Sequence, residues 1–348
     1  MIAKPLRTIV IGFGKMSSTY ANDPVMAKYY RYATHAQVLV DNPDFEWLAV
    51  VDPLEAARLD AKIGWAVPFV AENLADIKEL AAEIDVAVLA TPPESRMGII
   101  DALPNLRAVL VEKPLGRTLK ESAAFLAYCR SRNIQVQVNF WRRADHQFQQ
   151  LGSGGLSKLI GETQLARGVY GNGLMNNGVH LIDFTRMLLG EVVSVEPLGQ
   201  AKSFVEGPIP GDLNRAFSLN LSSGVVVPVQ PVRFANYREV GLEIWGEQGH
   251  LSILNEGLTI GCRTREPNRG MSDEFELPFD KPSYLESTVG EALFRMYEDL
   301  AQGLKIGSTF CSTGDSALRT SLIVEAIQHS VKRKEVITIA DYLEEFHA

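Results

Sequence analysis

The sequence predicts an α/β protein of two domains: a doubly wound parallel sheet comes first, and an α+β domain with a large, mostly antiparallel sheet follows. Up to about residue 138 apolar strand-like runs alternate with helical segments, and after about residue 140 strand-like segments separated by turns dominate. The length of 348 residues fits two domains, because single cores rarely grow beyond ~250–300 residues. We expect domain ranges of 1–140 and 141–348, with the last helix free to pack back on the first domain.

Five short apolar runs mark the strands of the first domain. Continuous apolar runs are typical of strands buried on both faces of a parallel sheet. The runs are RTIVI (7–11), WLAVV (47–51), VAVLA (86–90), AVLV (108–111) and IQVQV (134–138). Helical spacing in 74–84 and 119–133 supplies two of the covering helices.

The second domain is predicted to begin with one amphipathic helix, over about 175–189, and to continue as strands. The strand-like segments are VVSVEPL, AFSLNLSS, GVVVPVQPV, VGLEIWG and HLSILN. Turn residues at 222–224 and 246–249 separate several of them and predict hairpins, hence a largely antiparallel sheet. Helices over about 287–303 and 314–332 close the chain.

Composition excludes several classes of function. A net charge of −8 argues against a nucleic-acid partner, and 46% hydrophobic with 22% charged residues is typical of a soluble globular protein. Cys129, Cys262 and Cys311 lie far apart, which predicts no structural metal and a reducing compartment, the cytoplasm. No apolar run approaches the ~18–20 residues that span a bilayer, and the apolar N-terminus is better explained as a strand than as a signal peptide.

The segment IVIGFGKMSSTY predicts a dinucleotide-binding loop. Gly12-Phe13-Gly14 follows the first strand, Lys15 and Met16 come next, and Ser17 takes the place of a third small residue. The glycines permit a tight turn and close approach of a pyrophosphate, whose charge the following helix N-terminus favours. Asp52 ends the second strand and is placed to accept ribose hydroxyls. Since its carboxylate would repel a 2′-phosphate, we expect NAD, with NADP possible.

Gly14 and Asp52 are farther apart than the ~20 residues usual for this fingerprint. The excess is explained by an insertion over roughly Thr19–Thr34, called here the insertion, which carries four tyrosines. It is either a surface excursion or a flap near the cofactor or substrate, and the sequence leaves both open.

Lys113 follows the fourth strand-like run, at the sheet edge where ligands bind in open α/β folds. An arbitrary lysine there would extend into solvent, but Glu112 and Pro114 flank this one. A family resemblance rests on these motifs: Gly12-Phe13-Gly14-Lys15-Met16, Thr91-Pro92-Pro93, Glu112-Lys113-Pro114, VNFWRR (138–143) and Asn176-x-Gly178-x-His180-x-x-Asp183. Together they resemble the glucose–fructose oxidoreductase, inositol dehydrogenase and MocA-type family of NAD(P)-dependent oxidoreductases, nearly from end to end.

The resemblance implies a Rossmann domain, followed by a domain whose open sheet has one face toward the site and another available for dimerisation. A homodimer or homotetramer is expected. It also implies that Lys113 and His180 are the catalytic pair, with Asn176 where the family's aspartate is expected. Two further departures are Arg96, where a histidine is frequent, and Trp141, where Asn or Tyr is common. The implied cofactor contacts are Gly12, Phe13, Gly14, Lys15, Met16, Asp52, Thr91, Pro92 and Glu112.

The chemistry expected is hydride transfer between nicotinamide and a secondary alcohol or ketone of a sugar, polyol or sugar nucleotide. His180 suits the proton transfer because its unperturbed pKa lies near ~6.5, and Lys113 would hydrogen-bond the same oxygen. Asn176, His180 and Asp183 are spaced to share one helical face. Two alternatives stay open: a glycosidase that uses NAD through transient oxidation, and a non-catalytic NAD or sugar sensor, for which Asn176 is the only support.

The candidate substrate contacts are Trp141, Arg142, Tyr170, Asn172 and Asp183. Trp141 would stack on a sugar face and Arg142 would bind a hydroxyl or carboxylate, although inter-domain packing explains both equally well. Asp183 either supplies the charge that Asn176 lacks or forms a salt bridge. The other histidines are expected to be structural or surface residues outside any constellation; they are His35, His146, His250, His329 and His347.

Overall fold

The computed structural model describes residues 4–199, 203–278, 280 and 282–347. The chain forms two compact units. Unit 1 comprises Met1–Asp145 and Gly290–Leu318, and unit 2 comprises His146–Val289 and Arg319–Ala348. The chain therefore leaves unit 1 after Asp145 and returns to it for one later segment.

The helices and strands are numbered in chain order. The helices are α1 (His35–Asp41), α2 (Glu55–Leu59), α3 (Lys78–Ala81), α4 (Arg96–Ala102), α5 (Leu119–Ser131), α6 (His146–Gln150), α7 (Leu156–Ile160), α8 (Val179–Leu189), α9 (Ala292–Ile306), α10 (Gly314–Arg333) and α11 (Ile339–His347). The strands of the first sheet are β1 (Leu6–Ile11), β2 (Phe45–Val51), β3 (Phe69–Ala71), β4 (Val86–Leu89), β5 (Ala108–Val111) and β6 (Gln135–Val138). The later strands are β7 (Thr163–Tyr170), β8 (Val192–Pro197), β9 (Phe204–Val205), β10 (Leu213–Asn214), β11 (Phe217–Leu221), β12 (Val226–Pro231), β13 (Gly241–Gly246), β14 (Gly249–Leu254), β15 (Thr259–Thr264), β16 (Glu266–Pro267), β17 (Phe275–Glu276), β18 (Ser283–Leu285) and β19 (Ile337–Thr338).

Unit 1 is built on a six-stranded parallel sheet in the order β3-β2-β1-β4-β5-β6. The five predicted runs are all strands, and every residue of β4 and β5 is buried, as their unbroken apolar sequence predicts. The three-residue strand β3 was not predicted, because so short a segment has no periodicity to detect. This order confirms the predicted Rossmann arrangement, in which ligands bind where the strand order reverses, here between β1 and β4.

The insertion divides the helix expected after the phosphate loop. The first turn, Gly14–Ser18, is closed by a backbone hydrogen bond of 2.9 Å, but α1 begins only after the insertion. Two bonds join the pieces, since His35 N–H donates to the Met16 carbonyl (3.1 Å) and Ala36 N–H donates to the Ser17 carbonyl (2.9 Å). The helix N-terminus predicted to face a pyrophosphate is therefore present as one turn only.

The insertion packs against the beginning of α9 within unit 1. Tyr32 N–H donates to the Gly290 carbonyl at 3.1 Å, and the rings of Tyr32 and Phe294 lie 4.7 Å apart. Thr34, its last residue, caps α1 through a reciprocal pair of bonds with Gln37. The C-terminal end of the insertion is thereby joined to regular structure, and the role of the insertion stays a prediction.

Unit 2 contains a nine-stranded sheet in the order β18-β15-β14-β13-β7-β12-β11-β8-β19. Among its described pairs, β7 and β12 run parallel and the others antiparallel, which confirms the predicted sheet. The predicted hairpins join β11 to β12 and β13 to β14. The central strand β7 was not predicted because small residues, Ala166 and Gly168, take buried positions. A side chain at Gly168 would meet the Leu181 methyl at 2.9 Å.

The predicted late helices are confirmed as α9 and α10, and the predicted helix over 119–133 as α5. Thr118 begins α5 by accepting a hydrogen bond from the Glu121 amide. In the part of the chain that the structure describes, none of the helices combines the length and the apolar character needed to cross a lipid bilayer.

Candidate active site

The glycine loop after β1 is shaped for close approach of a ligand. Gly12 has φ +87°, and a side chain there would lie 2.5 Å from the Ala90 carbonyl oxygen, so the protein itself requires glycine. A side chain at Gly14 would meet no protein atom within 4 Å. The amides of Gly14 and Lys15 donate to none of the described residues. This bare, donor-rich turn fits a pyrophosphate.

Asp52 holds this loop from the end of β2. Its side chain accepts a hydrogen bond from the Phe13 amide (2.6 Å) and another from the Leu54 amide (2.8 Å). The Phe13 ring is buried in the core, 5.9 Å from the Trp47 ring, so only its backbone lines the loop. Each carboxylate oxygen of Asp52 retains a second lone pair, and the residue fits donors such as ribose hydroxyls.

Lys15 and Pro92 are exposed, and Met16 is partly buried. Thr91 follows β4 and lies against Gly12. Its hydroxyl oxygen is buried and has no hydrogen-bond partner among the described residues. A buried polar group without a protein partner is costly unless a ligand or water satisfies it, so Thr91 also fits a polar cofactor.

Glu112 belongs to a buried hydrogen-bonded chain. Its Oε1 atom lies 3.0 Å from His35 Nε2 and accepts from the Asn139 amide at 2.6 Å. His35 Nδ1 in turn lies 2.9 Å from the Tyr297 hydroxyl. Burial raises the pKa of Glu112, but the hydrogen bond and charge of His35, the Asn139 amide and the charge of Lys113 lower it below its usual value. The expectation that His35 lies outside any constellation is wrong.

His250 and His329 also have polar partners, all within unit 2, which fits the structural role expected for them. His250 lies 3.2 Å from a Glu243 carboxylate oxygen and 2.8 Å from an Arg263 nitrogen, and burial lowers its pKa. His329 lies 3.3 Å from the Tyr342 hydroxyl. Within the described ranges, no group of three His, Cys, Asp or Glu side chains is arranged to hold a metal ion.

Arg96 joins the two loops that follow β4 and β5. Its side chain is buried, with 1% exposed, and burial lowers its pKa to about 10, so it remains protonated at neutral pH. Its guanidinium donates four hydrogen bonds of 2.8–2.9 Å to backbone carbonyls, those of Thr91, Glu112, Pro114 and Leu115. The sequence signal was its residue type, an arginine where a histidine was expected; its partners could not be predicted.

Lys113 follows β5 and is partly buried. Its two sequence neighbours, Glu112 and Pro114, are among the residues whose carbonyls accept from Arg96. Trp141 and Arg142 lie in a short 3₁₀ helix, Trp141–Ala144, after β6. The buried Arg142 guanidinium stacks on the Trp141 ring at 4.1 Å, and the Tyr30 ring meets that ring edge-on. The insertion, through Tyr30, therefore contacts a predicted substrate residue within unit 1.

His180 lies in the first turn of α8, and a π-helical turn, Leu174–Gly178, precedes it. The predicted helix over 175–189 is therefore confirmed from Val179 onward, with a wider turn before it. π-turns are rare in proteins overall, but those that occur are often found at functional sites. Both Asn176 and His180 are partly buried.

Asp212 caps this turn, and sequence reasoning missed it. Its carboxylate accepts from the amides of Met175 and Asn176, each at 3.0 Å, and only 3% of the residue is exposed. Gly173, with φ +96°, is required there because a side chain would lie 2.1 Å from a carboxylate oxygen of Asp212. A single aspartate in a turn-rich segment gives no pattern that would reveal this contact.

Asn172 and Asn176 are brought together, since the Asn176 side-chain amide donates to the Asn172 carbonyl at 3.1 Å. Two other candidates face protein groups. Tyr170 is fully buried, its hydroxyl lies 2.8 Å from both the amide and the carbonyl of Arg215, and burial raises its pKa. Asp183 is 2% exposed and accepts from the Thr320 hydroxyl at 3.0 Å, and Arg186 lies 3.5 Å away.

The fold and the motifs are matched by two family models. Residues 6–140 match an oxidoreductase family with an NAD-binding Rossmann fold, and residues 130–252 match the GFO/IDH/MocA C-terminal domain. The molecule is therefore an NAD-binding oxidoreductase. The chain belongs to the GFO/IDH/MocA family, which confirms the family and the NAD cofactor predicted from its motifs.

The chain is also similar to curated relatives and to solved structures. The rhizopine catabolism protein MocA of Rhizobium meliloti is 25% identical over 196 residues, which cover 51% of this chain and 60% of that protein. The inositol 2-dehydrogenase of Rhizobium meliloti (strain 1021) is 23% identical over 328 residues, covering 88% of this chain and 95% of that protein. A levoglucosan dehydrogenase solved with NADH and levoglucosan has the same fold, with a TM-score of 0.73 and 19% identity over 97% of this chain and all of that one (100%).

Proposed function

We propose that this protein is an NAD-dependent dehydrogenase or reductase that transfers a hydride between nicotinamide and a CH–OH carbon of a sugar, polyol or sugar nucleotide. The observation that carries the proposal is the grouping of candidate residues at one edge of the parallel sheet. There the bare glycine loop, the buried Thr91 hydroxyl and Lys113 follow neighbouring strands. The substrate class is supported by relatives whose names specify inositol or levoglucosan.

The bound NAD would supply the hydride acceptor, C4 of the nicotinamide. In alcohol oxidation His180 takes the hydroxyl proton, and in ketone reduction it returns that proton. Lys113 donates a hydrogen bond to the same oxygen and stabilises negative charge as it develops there. Asn176 orients the first turn of the helix that carries His180. It adds no charge, unlike the aspartate expected at its position.

The other candidates are assigned different roles. We assign substrate contact to Trp141, Arg142 and Asn172, and cofactor contact to the residues of the glycine loop with Asp52, Thr91 and Pro92. Tyr170 and Asp183 are buried against protein groups, so we assign them to holding β7 and α8 in place. Glu112, bonded to His35 and Asn139, supports the cofactor side through the loop that follows β5.

The test is a screen of myo-inositol, other inositols, sugars and sugar nucleotides for NADH formation or consumption. We expect turnover with at least one of them. Lys113→Ala should lower kcat by ~10²–10³-fold, as for loss of a transition-state donor. His180→Asn should lower it by ~10²–10⁴-fold, as for loss of a general base. The exposed residues Lys120 and His146 offer matched controls, Lys120→Ala and His146→Asn, which should retain activity.

The same screen separates the alternatives. Release of a free sugar without net NADH would favour the glycosidase. NADH binding without any turnover would favour the sensor, as would full function of Lys113→Ala. Activity that survives both Lys113→Ala and His180→Asn would overturn the roles proposed here.

We further propose preference for NAD over NADP, a cytoplasmic location and assembly as a homodimer or homotetramer. The first rests on Asp52, whose charge opposes a 2′-phosphate, and the second on three free cysteines. The third rests on one face of the nine-stranded sheet, where apolar side chains are exposed at Leu165, Val226 and Tyr284. Sedimentation analysis would count the chains, and a monomer would contradict the assembly.

A further inference from the structure

We propose that Arg96 is a positioning residue for Lys113, acting through the backbone of the loops after β4 and β5. The proposal rests on the proposed function in one respect, the catalytic role of Lys113. Its structural part stands on hydrogen bonds within unit 1 alone. One guanidinium bonds the carbonyls of Glu112 and Pro114, which flank Lys113 on either side, and the Thr91 carbonyl of the neighbouring loop.

The hydrogen bonds that Arg96 donates to these two loops are called here the clamp. Their geometry requires arginine. Loops that leave a parallel sheet expose carbonyls that no longer pair with a strand, and buried carbonyls need donors. Guanidinium is planar and carries five N–H donors in a rigid fork, and here its two terminal nitrogens contact four carbonyls on two loops. A lysine ammonium places its donors on one atom and a histidine ring offers two at most, so neither spans the same set.

The buried cation is compensated locally. Burial disfavours the charge, and the carboxylates of Glu112 and Glu94 favour it, so the group stays protonated. The Glu112 side chain is held separately by His35 and Asn139. The loop therefore has a side-chain anchor at Glu112 and a backbone anchor at Arg96, and only the backbone anchor also reaches the Thr91 loop.

Hydrogen exchange measured by mass spectrometry tests the structural part without turnover. In Arg96→Lys and Arg96→Met, peptides covering 91–95 and 112–117 should exchange about tenfold faster or more, because bonds to a charged donor are lost. Peptides from β6 should not change. The control is Leu126→Ala, a buried α5 change within the same unit that lowers the melting temperature without touching the clamp.

A double-mutant cycle tests the catalytic part, with the substrate that the screen identifies and with NADH binding followed by fluorescence. Arg96→Lys should lower kcat by roughly 10- to 100-fold, as expected for a small misplacement of a catalytic group. In the Lys113→Ala background the same substitution should have no further effect on kcat. If Arg96→Lys keeps its full effect there, Arg96 does not act through Lys113 and the proposal is wrong.

Failure of the proposed function and failure of the Arg96 proposal give different results. Should no substrate turn over, the proposed function fails while the exchange experiment still decides the clamp. Unchanged exchange at 112–117 in both Arg96 variants would overturn the clamp even if the enzyme is active. If neither variant folds, the parent protein decides: segments 91–95 and 112–117 should open with one common free energy, and independent opening would overturn the proposal.

Discussion

The Lys113 loop in unit 1 and the His180 turn in unit 2 are held by buried groups of opposite charge. A cation, Arg96, donates to loop carbonyls around Lys113, and an anion, Asp212, accepts from helix amides just before His180. The difference follows from the backbone. Loops leaving a parallel sheet present carbonyls, whereas the first turn of a helix presents amides.

Each of these two segments is supported by a buried charged residue from the same unit. In each unit the supporting residue is remote in sequence from most of the partners described above, and it bonds backbone groups of the segment that carries Lys113 or His180. A helix N-terminus also favours a negative cap through its dipole, so Asp212 is stabilised where it lies. Arg96 has no dipole to assist it and is compensated by Glu112 and Glu94.

The largest loss of stability and activity is expected when Asp212, which supports the His180 turn, is replaced. Asp212→Ala leaves two amides without their acceptor, at a cost of about 1–3 kcal/mol for each buried group, and kcat should fall because the turn loosens. Asp212→Asn keeps one acceptor oxygen and should lose less. Urea unfolding and steady-state kinetics measure both, with the exposed Glu247→Ala as control. Equal losses in the Ala and Asn variants would show that Asp212 does not act as a cap.

A smaller effect, on the pH dependence of stability, is expected for Glu112 beside Lys113. Because the folded-state pKa of Glu112 is lowered, its ionised form contributes stability that is complete above its usual pKa of 4.5. That contribution is lost as the pH falls through the lower folded-state value. Glu112→Gln should therefore unfold more easily at pH 7 and show a flatter loss of stability below about pH 4.5. Exposed Glu79→Gln is the control, and parallel stability curves for Glu112→Gln and its parent would contradict the anchor.

The smallest expected effect concerns charge near His180. Asn176→Asp places a carboxylate four residues before the histidine and should shift the kcat/KM profile to higher pH, by less than ~1 unit. The shift is limited because Asp212, 3.0 Å from the Asn176 amide nitrogen, already brings negative charge to this turn. NADH affinity should not change. A profile that does not move would argue against an electrostatic role for position 176.

Sequence alone predicted much of the fold from particular patterns. Short, mainly apolar runs located five of the strands of the parallel sheet, and turns that contain glycine located two hairpins of the second sheet. It failed at β7, where small buried residues carry no apolar signal, and at the first turn of the His180 helix, whose π geometry depends on packing. Among site residues it named the glycine loop, Lys113, Asn176 and His180, because motifs keep these residue types at fixed spacing.

The sequence by itself determined the family, the two sheets and the reactive residue types, since these depend on short-range periodicity and local motifs. Only the tertiary structure decided which polar groups meet. His35 reaches Glu112 across 77 positions, Asp212 reaches Asn176 across 36, and one arginine joins two loops. It also decided that Gly290–Leu318 returns to unit 1. The physical reason is that a buried donor or acceptor must find a partner wherever the fold supplies one, and sequence distance places no limit on that choice.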